Sequence, residues 1–154
     1  MNILLISDVY FPRVNGVSTS IRTFVYQLQQ LGHQVTLIAP DYPAADHHQV
    51  TEDEAWIMRI PARGLFFDPE DRLMKMGEVL DKVQQLQRQQ FDIIHVHTPF
   101  VAHMLGLRLG KLLSIPVVET YHTFFEDYLH LYLPIIPKRI ARAIARLISR
   151  RQCN

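Results

Sequence analysis

The stretch NILLISDVYFPRVNGVSTSIRTFVYQLQQLGHQVTLIAP, Asn2 to Pro40, decides the fold. Asn2 to Ser7 is a short run built on Ile3, Leu4, Leu5 and Ile6, the pattern of a strand buried on both faces. It feeds a Pro- and Gly-containing loop, Asp8 to Val17. Beyond the loop Ile21, Phe24, Val25, Leu28 and Leu31 recur at three- and four-residue spacing, which predicts a helix capped by Ser18 or Thr19 and stopped by a left-handed Gly32. Gln34 to Ala39 reads as a second strand, ended by Pro40. Strand, helix and strand in this order form a unit whose crossover is right-handed.

The same alternation continues downstream. Asp41 to Asp53 is a polar loop with Pro43, and Trp56 to Ile60 is a short strand closed by Pro61. After Asp68 and Pro69, the spacing of Leu73, Met76, Val79, Leu80, Val83 and Leu86 predicts one long amphipathic helix reaching about Gln90. Asp92 to His97 is then a strand, Val101 to Leu113 a helix with Gly106 and Gly110 for close packing, and Pro116 to Tyr121 a strand. Pro134 and Pro137 bracket the entry to a last helix. The whole specifies an α/β fold with an open, mostly parallel sheet and helices on both faces, where ligands bind at the carboxyl ends of the strands. The loops after Ser7, Ala39, His97 and Tyr121 are therefore the places to look for function.

Length and composition bound the rest. The chain has 154 residues, 48% hydrophobic and 20% charged, which suits one domain with a sizeable core. Sixteen Lys and Arg stand against fifteen Asp and Glu, a net charge of +1 that argues against a globally basic nucleic-acid binder. The average hides an asymmetry. Lys138 to Arg151 holds six bases and no acid, and taking those six from sixteen leaves ten bases against fifteen acids elsewhere. Ile140, Ala143, Ile144, Leu147 and Ile148 fall on one side of this helix; Lys138, Arg139, Arg142, Arg146 and Arg150 fall on the other. Basic amphipathic helices of this kind bind anionic membrane surfaces, and a solvated outer face has the same pattern. The lone Cys153 excludes a disulfide framework, and no signal-like segment precedes Ile3, so the expected location is the cytoplasm, peripheral to a membrane.

The strand-end loops carry the chemistry. Asn15 and Gly16 tolerate positive φ just before a helix N-terminus, where free amides and the helix dipole suit a phosphate; an ordinary one-glycine turn reads the same way. No dinucleotide or Walker fingerprint is present, and neither is a Ser-His-Asp or nucleophile-elbow constellation. His95 and His97 share one strand face, with His95 read as a core histidine, and His122 at a strand end suits a hydroxyl or phosphate contact. Glu126 could supply a base or be solvated charge. No acidic pair suits a metal-bound nucleotide-sugar, so no metal and no cofactor are expected.

Five segments in order resemble the N-terminal domain of family 4 retaining glycosyltransferases. They are Ile3 to Pro12, Val14 to Ser20, Leu31 to Thr36, His95 to Pro99 and Tyr121 to His130. The resemblance is nearest to the diacylglycerol glucosyltransferase and lipid mannosyltransferase branch. It implies a GT-B fold, two Rossmann-like domains facing a cleft, with residues 1–154 as a single acceptor-side domain. It also implies that Asn15 and Gly16 approach the donor diphosphate, where the family usually has two glycines. By the same resemblance His122 contacts the transferred sugar, Tyr10, Phe11, Arg13 and Glu126 serve the acceptor, and the helix of Arg142 and Arg146 docks on the membrane. The expected partners are a nucleotide-sugar, a lipid acceptor and a C-terminal domain lying beyond this chain, without which the fragment is inactive. The alternative is a non-catalytic α/β module that docks on membranes through residues 138–151.

Overall fold

A computed structural model of the chain describes residues 1–43, 55–64 and 72–122. Inter-residue contacts divide it into two compact units, Met1–Thr120 and Tyr121–Asn154. Only Tyr121 and His122 of the second unit fall within the described residues.

The first unit is built on a five-stranded sheet in the order β3-β2-β1-β6-β7, with every neighbouring pair parallel. The strands are β1 (Asn2–Ile6), β2 (Gln34–Pro40), β3 (Ile57–Ile60), β6 (Ile93–Val96) and β7 (Val117–Glu119). Alternation of side chains across the pleat sorts the strand residues into two cores. On one face Ile3, Leu5, Val35, Leu37 and Ala39 pack beneath α1 (Gly16–Gln30), through Ile21 and Val25. On the other, Leu4, Ile6, Ile38, Ile60, Ile94 and Val96 pack beneath α4 (Val101–Leu113), through Ala102, Leu105 and Leu109. Each fully buried Leu or Ile stabilises the fold by about 1.5–3 kcal/mol relative to exposure. Helices on both faces of a parallel sheet are what the alternation predicts.

Gly106 and Gly110 bring α4 close to the sheet. A Cβ on Gly106 would lie 2.4 Å from Val96 Cγ2, and one on Gly110 would lie 2.4 Å from Val117 Cγ2. Gly32 ends the α1 region at φ +80°, as its position predicts.

Three expectations are corrected. The N-cap of α1 is Asn15, three residues before Ser18, because the extended Asn15 backbone lets its side chain accept the Ser18 amide at 2.8 Å. Neither Asn15 nor Gly16 takes positive φ. The long helix predicted from Leu73 is a strand and two short helices: β5 (Arg72–Met74), α2 (Met76–Leu80) and α3 (Val83–Arg88). β5 pairs antiparallel with β4 (Ala62–Gly64), so cross-strand bonds outweigh the helical spacing of Leu73. Val79 and Leu86 are still buried in one core, with Met76, Leu80 and Val83 packed against it, which is the periodicity the sequence displays beyond Leu73.

Candidate functional site

The sheet order places a topological switch between β1 and β6. From these adjacent strands α1 leaves over one face and α4 over the other, which opens a crevice at their carboxyl ends. Two helix N-termini border that crevice, and the sequence treats them differently.

The N-terminus of α4 already holds an anion. Phe100 in the N-cap position offers no side-chain cap, and the carboxylate of Asp8, at the end of β1, takes that place instead. The Ala102 amide donates to both Asp8 oxygens, at 3.0 and 3.1 Å. Thr98 completes the contact by donating its hydroxyl to Asp8 Oδ2 at 2.7 Å. Burial pushes the Asp8 carboxyl up to about 6, against the opposing pull of Thr98 and the Ala102, Phe100 and Val101 amides. A phosphate has no room on these amides while Asp8 occupies them.

The N-terminus of α1 is only half capped. Asn15 carries the first intrahelical bond from Thr19 through its carbonyl and caps Ser18 through its side chain. The Gly16 and Val17 amides have no acceptor among the described residues. Gly16 is exposed, and a Cβ built on it meets nothing within 4 Å. Neither backbone conformation nor packing within the described protein requires glycine there. A ligand approaching the backbone closely would require it. Beneath the same turn the Ser18 hydroxyl is fully buried with no hydrogen-bond partner among the described residues.

Aromatic packing fixes the loop between these two helix ends. Ser7 Oγ donates to the Val9 carbonyl at 2.7 Å and shapes the turn that leaves β1. Tyr10 is wholly buried, edge-on to Phe11 at 5.1 Å and to Trp56 at 5.7 Å. Arg22 lies over the Phe11 ring at 4.3 Å and Arg59 over Tyr10 at 5.6 Å. The side chains of Tyr10 and Phe11 therefore act as core anchors, and the loop shows Val14 to solvent while Arg13 is half-buried. Glu126 and the cations Lys138, Arg139, Arg142, Arg146 and Arg150 lie outside the described residues.

At the end of β6, His95 and His97 share one face as their spacing predicts, with ring centroids 4.1 Å apart. Phe24 of α1 meets both rings edge-on, at 5.2 and 6.0 Å. His95 is buried, and its Nε2 lies 2.7 Å from Thr120 Oγ1, the partner a core histidine needs. His122 is partly buried, and burial lowers its pKa from the ordinary 6.5, which keeps the imidazole neutral near pH 7. Among the described residues no three His, Cys, Asp or Glu side chains cluster as metal ligands.

Sequence reasoning missed Asp8, Arg22 and Arg59. Asp8 offered one signal, an acid directly after an apolar strand, but its helix lies ninety-four residues away.

An open parallel sheet covered by helices on both faces, with its strand order reversing between β1 and β6, defines the doubly wound α/β class. Comparison narrows this class. The chain belongs to Glycosyltransferase Family 4, which it matches over residues 14–154. It is 39% identical over 132 residues to an alpha-monoglucosyldiacylglycerol synthase of Streptococcus pneumoniae, covering 84% of this chain and 28% of that protein. A protein of the same name from Acholeplasma laidlawii is 31% identical over 153 residues, covering 97% and 37%. A GDP-mannose-dependent alpha-mannosyltransferase of Mycobacterium tuberculosis is 26% identical over 152 residues, covering 97% and 39%. The chain thus spans between 28% and 39% of the length of these three relatives.

Proposed function

We propose that the chain is the acceptor-side, N-terminal domain of a retaining GT-B glycosyltransferase that moves a hexose from a nucleotide-sugar to a lipid hydroxyl. The observation that carries this reading is the pair of Gly16 and Val17 amides at the switch point, which no acceptor meets among the described residues. The names of two relatives, alpha-monoglucosyldiacylglycerol synthases, support a diacylglycerol that receives one glucose as the acceptor class.

In this reading the bond from sugar C1 to the diphosphate oxygen breaks, and its electron pair leaves with the diphosphate. The acceptor oxygen bonds C1 on the same face, and the acceptor proton passes to the departing phosphate oxygen. The Gly16 and Val17 amides meet the growing negative charge without reorganising, which is the main source of rate. Asn15 sits where a family glycine would stand and holds the third amide for itself. Neutral His122 donates a hydrogen bond to a sugar hydroxyl near C1. Arg13, Glu126 and the loop anchored by Tyr10 and Phe11 orient the acceptor. The basic segment with Lys138, Arg139, Arg142, Arg146 and Arg150 docks on the inner face of the cell membrane. A second domain supplies the nucleotide pocket, and no metal takes part.

Gly16→Pro tests this reading. Proline suits the first helical position, and the extended Asn15 backbone tolerates a following proline, so the substitution removes one N–H and little else. In the intact enzyme, transfer of labelled sugar from a nucleotide-sugar to diacylglycerol is measured with EDTA present. Loss of one such donor lowers kcat by about 10²-fold at an unchanged melting temperature. Gly16→Ala, which keeps the amide, separates donation from steric approach. Absence of transfer by the intact enzyme, or full activity of Gly16→Pro, would overturn the reading.

A further inference from the structure

Helix α4 turns an unusual face to solvent. Its five exposed positions are Met104, Leu107, Arg108, Lys111 and Leu112, each either large and apolar or cationic. Met104 is 58% exposed, Leu112 53% and Leu107 43%. At roughly 100° per residue these five positions cover a continuous arc of about 140°, opposite the buried Ala102, Leu105, Gly106 and Leu109. No acid occurs between Val101 and Leu113. On α1 Phe24 and Tyr26 are also exposed, but Thr19, Ser20, Thr23, Gln27, Gln29 and Gln30 make most of its outer face neutral and polar, and Arg22 is its one exposed cation. A helix apolar around most of its circumference is one whose outer face is covered in use.

We propose that this face of α4 lies on an anionic lipid surface, with Met104, Leu107 and Leu112 in the headgroup and acyl boundary and Arg108 and Lys111 against lipid phosphates. The composition is that of an interfacial helix, apolar stem and cations without acids. A lipid surface fits better than a second copy of the chain, because a symmetric pairing would bring Arg108 and Lys111 against their own counterparts. Arg108 Nη1 donates to the Met76 sulfur at 3.1 Å, a weak exposed contact that its long flexible stem can exchange for a lipid phosphate. Among the described residues no helix is long and apolar enough to cross a membrane, so the contact is peripheral. This surface is separate from residues 138–151, and the inference does not depend on the transfer chemistry.

A site-specific probe tests it. In the intact protein with Cys153→Ser, Met104→Cys is labelled with an environment-sensitive nitrobenzoxadiazole, and Gln29→Cys serves as the control on α1. Vesicles of equimolar phosphatidylcholine and phosphatidylglycerol shift the emission at position 104 to the blue, brominated lipids quench it, and position 29 does not respond. Arg108→Gln with Lys111→Gln lowers vesicle partitioning by about thirtyfold, each near-surface cation being worth roughly fivefold. Binding of the protein to vesicles without a response at position 104 overturns the proposal. So does an absence of binding, or a blue shift at 104 that needs no lipid and grows with protein concentration, which would mark a contact between copies. Vesicle contact through α4 in a protein without sugar transfer leaves this inference standing and removes the transferase reading.

Discussion

Asp8 and Thr98 are bonded reciprocally: the Asp8 amide donates to Thr98 Oγ1 at 2.7 Å, and that hydroxyl donates to Asp8 Oδ2 at 2.7 Å. Asp8 lies two residues beyond β1 and Thr98 two beyond β6, so the pair ties together the two loops that border the switch-point crevice. Because Asp8 also caps α4, it fills that helix end, whereas at α1 the Gly16 and Val17 amides meet no acceptor among the described residues.

Asp8 sets a pH dependence of stability. Its folded value near 6 lies above the ordinary 3.8, so between these values the folded protein keeps a proton that the unfolded chain has released. Stability from this group is therefore greatest below about pH 4 and falls as pH rises to 6, by on the order of 3 kcal/mol. Asp8→Asn abolishes that slope. Urea unfolding of both proteins at intervals from pH 4 to 7 measures it, and parallel curves would refute the assignment.

His122 acts in the opposite sense. Its pKa is lowered by burial, so the unfolded chain takes up a proton first as pH falls, and stability is lost below about pH 6.5. An NMR titration of the His122 ring gives a midpoint below that of a free imidazole. A midpoint at or above 6.5 contradicts the burial.

Asn15 caps α1 and withholds the Ser18 amide. Asn15→Ala costs about 1 kcal/mol of stability, while Asn15→Gly costs only a few tenths. Because Asn15→Gly frees a third amide at the helix end, donor KM in the intact enzyme falls. Thermal denaturation and donor titration read the two effects separately.

Gly106→Ala places a methyl 2.4 Å from Val96 Cγ2 and destabilises the protein by about 1–3 kcal/mol. The obstacle is a side chain, so Val96→Ala in the same molecule recovers part of the loss. Denaturant unfolding of the two single variants and the double variant measures the coupling, and additive losses would place α4 further from β6 than described.

The resemblance in the Ile3 to Ser20 stretch led to the family, and local pattern was enough to place most elements. Helix α4 runs from Val101 to Leu113 as its spacing predicts, and the strands match to within two residues at each end. The errors cluster where a partner is remote. Leu73 carries helical spacing and lies in a strand, because its backbone pairs with Arg63, which no local signal reveals. The same holds at the site. Asn15 and Gly16 are visible as a loop before a helix, whereas the cap that Asp8 places on α4 depends on a contact across ninety-four residues.

By itself the sequence determined the alternation of strands and helices, the family, and the glycines at 16, 32, 106 and 110. Periodicity and turn chemistry act over a few residues, so they are legible without a fold. Only the tertiary structure decided which of the two helix ends a protein carboxylate caps, that no packing among the described residues demands a glycine at position 16, and which face of α4 is left exposed. Those answers depend on which groups meet once the sheet has closed, and the spacing of residues along the chain does not encode them locally.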